Sequence, residues 1–453
     1  MNSQTAELCL GKWNGRELVV TEYPGQLTSD AGLLTVARFD RQVRLTERFA
    51  GCLREWRKEP AHSLLEMVRQ RVLGIIAGYE DANDHDQLRT DPVFKLIAER
   101  LPEDAALASQ PTLSRFENHV APADLMALIR LQIQTGIERL KAKHGGTLPQ
   151  VVTLEIDTTD DPTHGQQQLS LFHGYYGQYQ YSPLLITEPT TRHVFLAWLR
   201  FGTAHASLGA DDDLQMVVDA LRAERADVEI HLRGDCGFGL PRMYDACETQ
   251  KTQPIRYLLG LSTNARLKEI AQPLMDQAVH QFDQTGEKQR LFMTFEYQAE
   301  SWPHARQVIA KAECHAPGIN LRFVVTNHPC ATAADAERLY DDYIQRGAAE
   351  QQIDELKNGL AMDRLSCHRF LANFFRLLLH VAAYNLFNAF HDHDSFPPEL
   401  QVAQPAKWRS QLIKVAALVS QSTRRVLVSL SGHWPNWPTF RQAAALEGFA
   451  PTG

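Results

Sequence analysis

The sequence predicts a mixed α/β protein: a sheet with helical crossovers, split by a β-rich insertion and flanked by helical N- and C-terminal regions. Two observations carry this. Between about Pro149 and Thr263, short runs rich in branched and apolar residues ("QVVTLEID", "YSPLLITE", "HVFLAWLRF", "VEIHLRGD", "IRYLLGLS") are separated by turns and by the helical stretches "DDDLQMVVDALRAE" and "PRMYDACETQ". On either side, apolar residues recur at spacings of three and four, the period of a helix with one buried face.

Taken in order, residues 1–148 read as a helical N-terminal domain. "AHSLLEMVRQRVLGIIAGYED" places Leu64, Leu65, Val68, Val72, Ile75 and Ile76 on one face. "DPVFKLIAERL" and "SQPTLSRFENH" each begin with a capping residue and an early proline. Residues 149–263 form the first part of the sheet region. Residues 264–330 loosen into a polar segment with the strand-like runs "LFMTFEYQ", "RQVIAKAE" and "LRFVVTN", the β-rich insertion. Residues 331–390 return to helix, and residues 391–453 form a helical tail region with Trp434 and Trp437.

Composition bounds the function without choosing it. The 453 residues are 44% hydrophobic and 22% charged, as in ordinary globular proteins. The seven cysteines form no C-x-x-C pair, which points to a reducing, cytoplasmic setting and away from a zinc site. No membrane partner is expected, since no run approaches the ~18 apolar residues of a membrane span. A net charge of −8 disfavours nucleic acid mildly. That charge is uneven: Ala361–Ala450 holds nine Lys/Arg against five Asp/Glu.

The chemistry-bearing residues are acids at strand ends. Asp157 ends the first strand and Asp235 the fourth, each before small residues, where open α/β sheets place their ligands. Asp is also an ordinary turn former and N-cap there. A third acid lies in "LYDDYIQRGAAEQQIDELKNGLAMD". On one continuous helix, Tyr343, Arg346, Glu350 and Lys357 share a sector of about 60°, beside an apolar stripe of Ala349, Ile353, Leu356 and Leu360. The alternative is a solvated face with an Arg346–Glu350 ion pair. Three convergent carboxylates without cysteine or a His pair favour a hard cation, Mg²⁺ or Mn²⁺, and two such ions suit phosphodiester chemistry. Arg346 can fork onto a phosphate, Lys357 adds a point charge, and Tyr343 offers a hydroxyl and a ring.

Asp157 in "EIDTTDDPTHGQQ", Asp235 in "LRGDCGF" and the Y-x(2)-R-x(3)-E-x(6)-K spacing resemble the DDE insertion-sequence transposases of bacteria. With "DPTHGQQ", "FHGYY" and "FRLLLHVAAYNL", the chain is similar to the group numbered thirteen-eighty, over roughly Glu17 to Leu430. The resemblance implies an RNase H-like catalytic core and metal ligation by Asp157, Asp235 and Glu350. It also implies Mg²⁺-dependent cleavage at terminal inverted repeats and joining of 3′ ends to target DNA. The partner would be double-stranded DNA, held by a homodimer on paired ends in the nucleoid-associated cytoplasm. Cys236 stands where the family more often has a serine-like residue. A nuclease of the same fold without strand transfer, or a catalytically silent DNA-binding regulator, are the competing readings.

Further candidates are individually less specific. Asp160 and Asp161 suit loop-capping, and His164 and His173 suit structural roles. Tyr175 and Tyr176 belong to a tight hairpin and are expected to pack. Trp302, with Arg306 nearby, is a candidate to stack on an everted base, as related transposases do from this insertion; a half-buried structural tryptophan is the alternative. Arg69, Arg71, Gln110, Thr112, Ser114 and Arg115 are candidates for a DNA groove, and Lys407, Arg409, Lys414, Arg424 and Arg425 for phosphates.

Overall fold

A computed structural model describes residues 7–393, 396–401 and 403–446, the Ala348 side chain excepted. Its centre is an eight-stranded mixed sheet. In chain order the strands are β1 (Val151–Thr158), β2 (Leu184–Glu188), β3 (His193–Trp198), β4 (Glu229–Gly234), β5 (Arg256–Leu261), β6 (Gln289–Tyr297), β7 (Arg306–His315) and β8 (Gly318–Thr326). Across the sheet they run β6-β7-β8-β5-β4-β1-β2-β3. β1, β4 and β5 are parallel, β2 is antiparallel to β1, and β3 is antiparallel to β2. This is an RNase H-like core, with helices α4 (Ala210–Glu224) and α5 (Pro241–Glu248) as crossovers.

The segment expected as an insertion does not stand apart from this sheet. β8 pairs antiparallel with β5, and β7 and β6 follow antiparallel, so the sheet continues past its fifth strand. Its polar lead-in, read as loose, is helix α6 (Ala265–Thr285). The Asn264 side chain caps it by accepting from the Leu267 N–H at 2.9 Å, and Leu267, Ala271, Met275 and Ala278 form its buried stripe.

Among the N-terminal helices, α1 (Leu64–Ala77) has a Ser63/Glu66 capping box, and Gly78 closes it at φ +92°. α2 (Gln110–Asn118) and α3 (Pro122–Lys143) follow. α9 (Phe370–His391) runs through the middle of the molecule against α1, α3 and β3. It is the one helix among the described residues long and apolar enough to cross a membrane, and 89% of that window is buried inside the protein. Asn373, Arg376, His380, Asn385 and Asn388 interrupt its apolar residues, and the burial marks it as a core helix. Its buried Asn385 covers the sheet edge: the side-chain oxygen accepts from the Val194 N–H at 2.9 Å, and the amide donates to the Val194 carbonyl at 3.0 Å.

Two expectations of wholly helical ends need correction. Glu7–Trp13 and Arg16–Thr21 form a β-hairpin, whose turn residues Asn14 and Gly15 have φ +50° and +78°. Asn-Gly is the residue pair such a turn favours. At the other end Ala417–Gln421 pairs with both Val426–Leu430 and Gln26–Thr28, joining the two ends of the chain in one small sheet.

Candidate active site

Strand register brings the first two acids together. Arg233 is opposite Glu155 and Gly234 opposite Ile156 in the parallel β4/β1 pair, so the next positions, Asp235 just past β4 and Asp157, still paired with Leu185 of β2, stand side by side. Each is fixed by a backbone N–H that follows it: the Thr158 N–H donates to Asp157 Oδ1 at 2.7 Å, and the Gly237 N–H donates to Asp235 Oδ1 at 2.8 Å. Burial pushes the Asp157 carboxyl up to about 6, the charge of Asp235 adds to this, and Glu350 contributes a smaller push.

The third acid comes from above the sheet. Thr332 and Asp335 form a capping box that starts helix α7 (Ala333–Ile344), whose last turn delivers Tyr343. The single continuous helix expected from the spacing is not what forms. A turn at Gln345 and Arg346 separates α7 from α8 (Gly347–Asp354), and Glu355–Gly359 then widens into a π-helical turn. Asp235, Cys236, Tyr343, Arg346 and Glu350 nevertheless line one cleft of about 650 Å³. Gly260 on β5 lets the helix approach, since an added Cβ would meet the Tyr343 hydroxyl at 2.8 Å.

Asp157 is not part of the lining of that cleft, and the three carboxylates do not converge as the sequence reading expected. Glu350 is 61% exposed and its carboxylate lies 3.2 Å from Arg346, whose guanidinium sits 5.5 Å from the Tyr343 ring centroid. Among the described residues no three His, Cys, Asp or Glu side chains approach closely enough to hold a metal ion. The reason is electrostatic: the Asp157–Asp235 pair repels a third anion, and Arg346 offers Glu350 a partner one turn away. The donor set still fits a hard divalent cation. It consists of carboxylate oxygens, two adjacent and mutually repelling, with the third on an exposed side chain beside them.

Behind the acids lies a layer that sequence reasoning missed. Glu155 and Arg233, two residues before Asp157 and Asp235, are buried 3.6 Å apart. Arg233 donates to the Asp342 carbonyl at 2.9 Å, tying β4 to α7. Burial raises the Glu155 carboxyl to about 7. The signal was legible as a repeated pattern, E-x-D in one strand and R-x-D in the other, which puts each charge on the same face as its acid.

Other candidates are redistributed. Lys357 is held by Asp160, through its carboxylate at 2.8 Å and its carbonyl at 2.9 Å, so it anchors the loop after Asp157 and is not free for phosphate. Trp302 is 6% exposed, with its ring edge-on to Tyr244 and Tyr297 and closed to a base. Arg306 is buried and donates to Asp245 at 2.7 Å and Glu248 at 2.9 Å. Arg69 and Arg71 are also buried, paired with Glu99 and Glu117. Arg409 donates to the Ile76 and Gly359 carbonyls, and Lys414 pairs with Asp30. For the buried Arg69, Arg71 and Arg306 the surroundings demand a partner for the charge, and the protein supplies it. Arg115, Lys407, Arg424 and Arg425 remain exposed, the last two in the turn between Ala417–Gln421 and Val426–Leu430. Tyr175 and Tyr176, expected to pack, are exposed as well. His164 lines a separate cavity with Asp363 and His368.

The family model described as Transposase DDE domain group 1 matches residues 11–448. The chain belongs to that family. It is a DDE transposase, and its reaction class is the cutting and transfer of DNA. No curated protein matches it significantly. Among solved structures, one chain of a cryo-electron-microscopy structure titled as the piggyBac transposase synaptic complex with hairpin DNA aligns at TM-score 0.41 and 11% identity. The alignment covers 85% of this transposase chain and 79% of the other.

Proposed function

We propose that the chain is the transposase of an insertion sequence similar to the group numbered thirteen-eighty. In this reading it binds terminal inverted repeats, cleaves at them and joins the freed 3′ ends to target DNA as a homodimer on paired ends, in the cytoplasm at the nucleoid. The observation that carries this reading is the pairing of Asp157 with Asp235 by strand register, Asp235 lining a cleft with Glu350, within a family match spanning nearly the whole chain.

Asp157, Asp235 and Glu350 would hold Mg²⁺, or Mn²⁺ in its place, as two ions that activate the attacking oxygen and stabilise the leaving one. The protein's own contribution is positioning. Arg346, carried between the Tyr343 ring and Glu350, can turn its fork to a phosphate at the mouth of the cleft. The Tyr343 hydroxyl, above Gly260, can donate to a phosphate oxygen. Glu155 and Arg233 keep β1, β4 and α7 in register beneath the acids. The exposed Arg115, Arg424 and Arg425 are the candidates for holding the duplex.

The test compares wild type with Asp157→Asn on DNA ending in the element's inverted repeats. Divalent-dependent cleavage should vanish while gel-shift binding stays; unaltered cleavage would falsify the assignment of Asp157. A pre-nicked end integrated into plasmid by the wild type separates a transposase from a nuclease, which would only hydrolyse.

A further inference from the structure

Between Asp161 and Tyr181 the chain leaves the core and builds a small aromatic sheet at the rim of the acid site. Asp161–Pro162 pairs with Gln178–Tyr181, which pairs with Leu171–His173. This sheet starts four residues after Asp157 and is tied back to the site, because Gln178 donates to the Asp160 carboxylate at 3.0 Å. Gly177 turns the hairpin at φ +66°.

Its side chains are unusual for a surface. Tyr175 is 86% exposed, Tyr179 59%, Phe172 52% and Tyr176 48%. The rings stand in two pairs: Tyr175 and Tyr176 are 5.0 Å apart between centroids, and Phe172 and Tyr179 5.6 Å. Tyr176 also contacts His173 at 5.1 Å and lies close enough to Asp160, Asp157 and Asp235 to feel their charges. From Thr163 to Tyr181 there is no Asp or Glu and no Lys or Arg, in a chain of net charge −8.

We infer that this hairpin is a stacking platform that receives unpaired nucleotides of the DNA end whose phosphate enters the acid site. The inference rests on the transposase reading, since it takes DNA as what the cleft receives. A paired duplex hides its base faces and shows phosphates, which an uncharged aromatic surface does not attract; unpaired bases present the flat faces that such rings bind. The uncharged stretch lets a strand pass without repulsion, and the phenol hydroxyls can donate to its phosphates. Location makes the rings more than an exposed patch, because their sheet is hydrogen-bonded through Gln178 to Asp160, three residues after Asp157.

The test uses fluorescence anisotropy in EDTA with two probes: a short blunt duplex, and the same duplex carrying a few unpaired nucleotides at one end. Wild type should prefer the frayed end by about tenfold, the ratio that stacking of about 1.4 kcal/mol gives. The Tyr175→Ala/Tyr176→Ala variant should lose that preference and keep its affinity for the blunt duplex. The Tyr175→Phe/Tyr176→Phe variant, which retains the rings, should keep both. Absence of any preference in the wild type, or its persistence in the alanine variant, overturns the inference. Because the assay needs no divalent ion, an intact preference in a protein that never cleaves would count against the transposase reading and leave the platform standing.

Discussion

Asp161 shows how closely two neighbouring acids can differ. Asp160 is tied to Lys357 and Gln178, whereas Asp161 is fully buried and neither of its carboxylate oxygens has a hydrogen-bond partner. Burial, reinforced by Asp363, holds its carboxyl well above the usual range, so the folded protein keeps a proton that the unfolded chain releases near its ordinary value of 3.8. Above that value the folded state holds more protons than the unfolded state, so stability falls as pH rises. Wild type should therefore lose unfolding free energy as pH rises above the ordinary carboxylate range. Asp161→Asn should flatten the dependence, as urea denaturation at each pH would report. An equally steep slope in the variant would locate the pH dependence elsewhere. Nothing in "DTTDDP" distinguishes these acids, because their difference arises from strands and helices that arrive later in the chain. Arg306 and Trp302 teach the same lesson, since a basic or aromatic residue in an insertion looks the same in sequence whether it faces DNA or Glu248.

At the scale of elements, period and punctuation carried most of the reading. The strands of the core and the helix Leu64–Ala77 follow their apolar patterns, and Asp157 and Asp235 were placed because they end two such strands. What escaped was signalled by small residue sets inside polar stretches. The Asn14-Gly15 turn lies between strands that are exposed on both faces, and α6 carries Pro273 in its middle, which reads as a breaker. The Glu350 helix was right in type and wrong in continuity. Its turn at Gln345–Arg346 leaves Glu350 beside Arg346, while the π-helical turn at Glu355–Gly359 takes Lys357 to Asp160. That contact closes the Asp157 loop against the helix. Lys357→Ala should release it, seen as faster amide hydrogen exchange over residues 158–163 and slower DNA cleavage with end binding retained. Unchanged exchange there would mean that the aromatic sheet alone holds the loop.

Across the whole molecule, one hydrophobic core runs from the N-terminal helices through α9 to the sheet and on to the C-terminal segment. The short strand Gln26–Thr28 against Ala417–Gln421, with the Ala31 N–H donating to the Val415 carbonyl at 3.1 Å, binds the two ends of the chain together. No local pattern could announce that pairing, because its partners are separated by nearly the full length of the chain. The same holds for the site, whose three acids come from β1, from the end of β4 and from a helix beyond the added strands. The central claim is that these acids act as one metal-binding unit although Glu350 rests on Arg346 in the structure. Calorimetric titration of Mn²⁺ into the purified protein and into Asp157→Asn, Asp235→Asn and Glu350→Gln tests it most directly. Each substitution should weaken binding by about tenfold or more, with Glu350→Gln affected as the other two are. Mn²⁺ binding that survives Glu350→Gln unchanged would contradict the claim and leave Glu350 as a partner of Arg346 only.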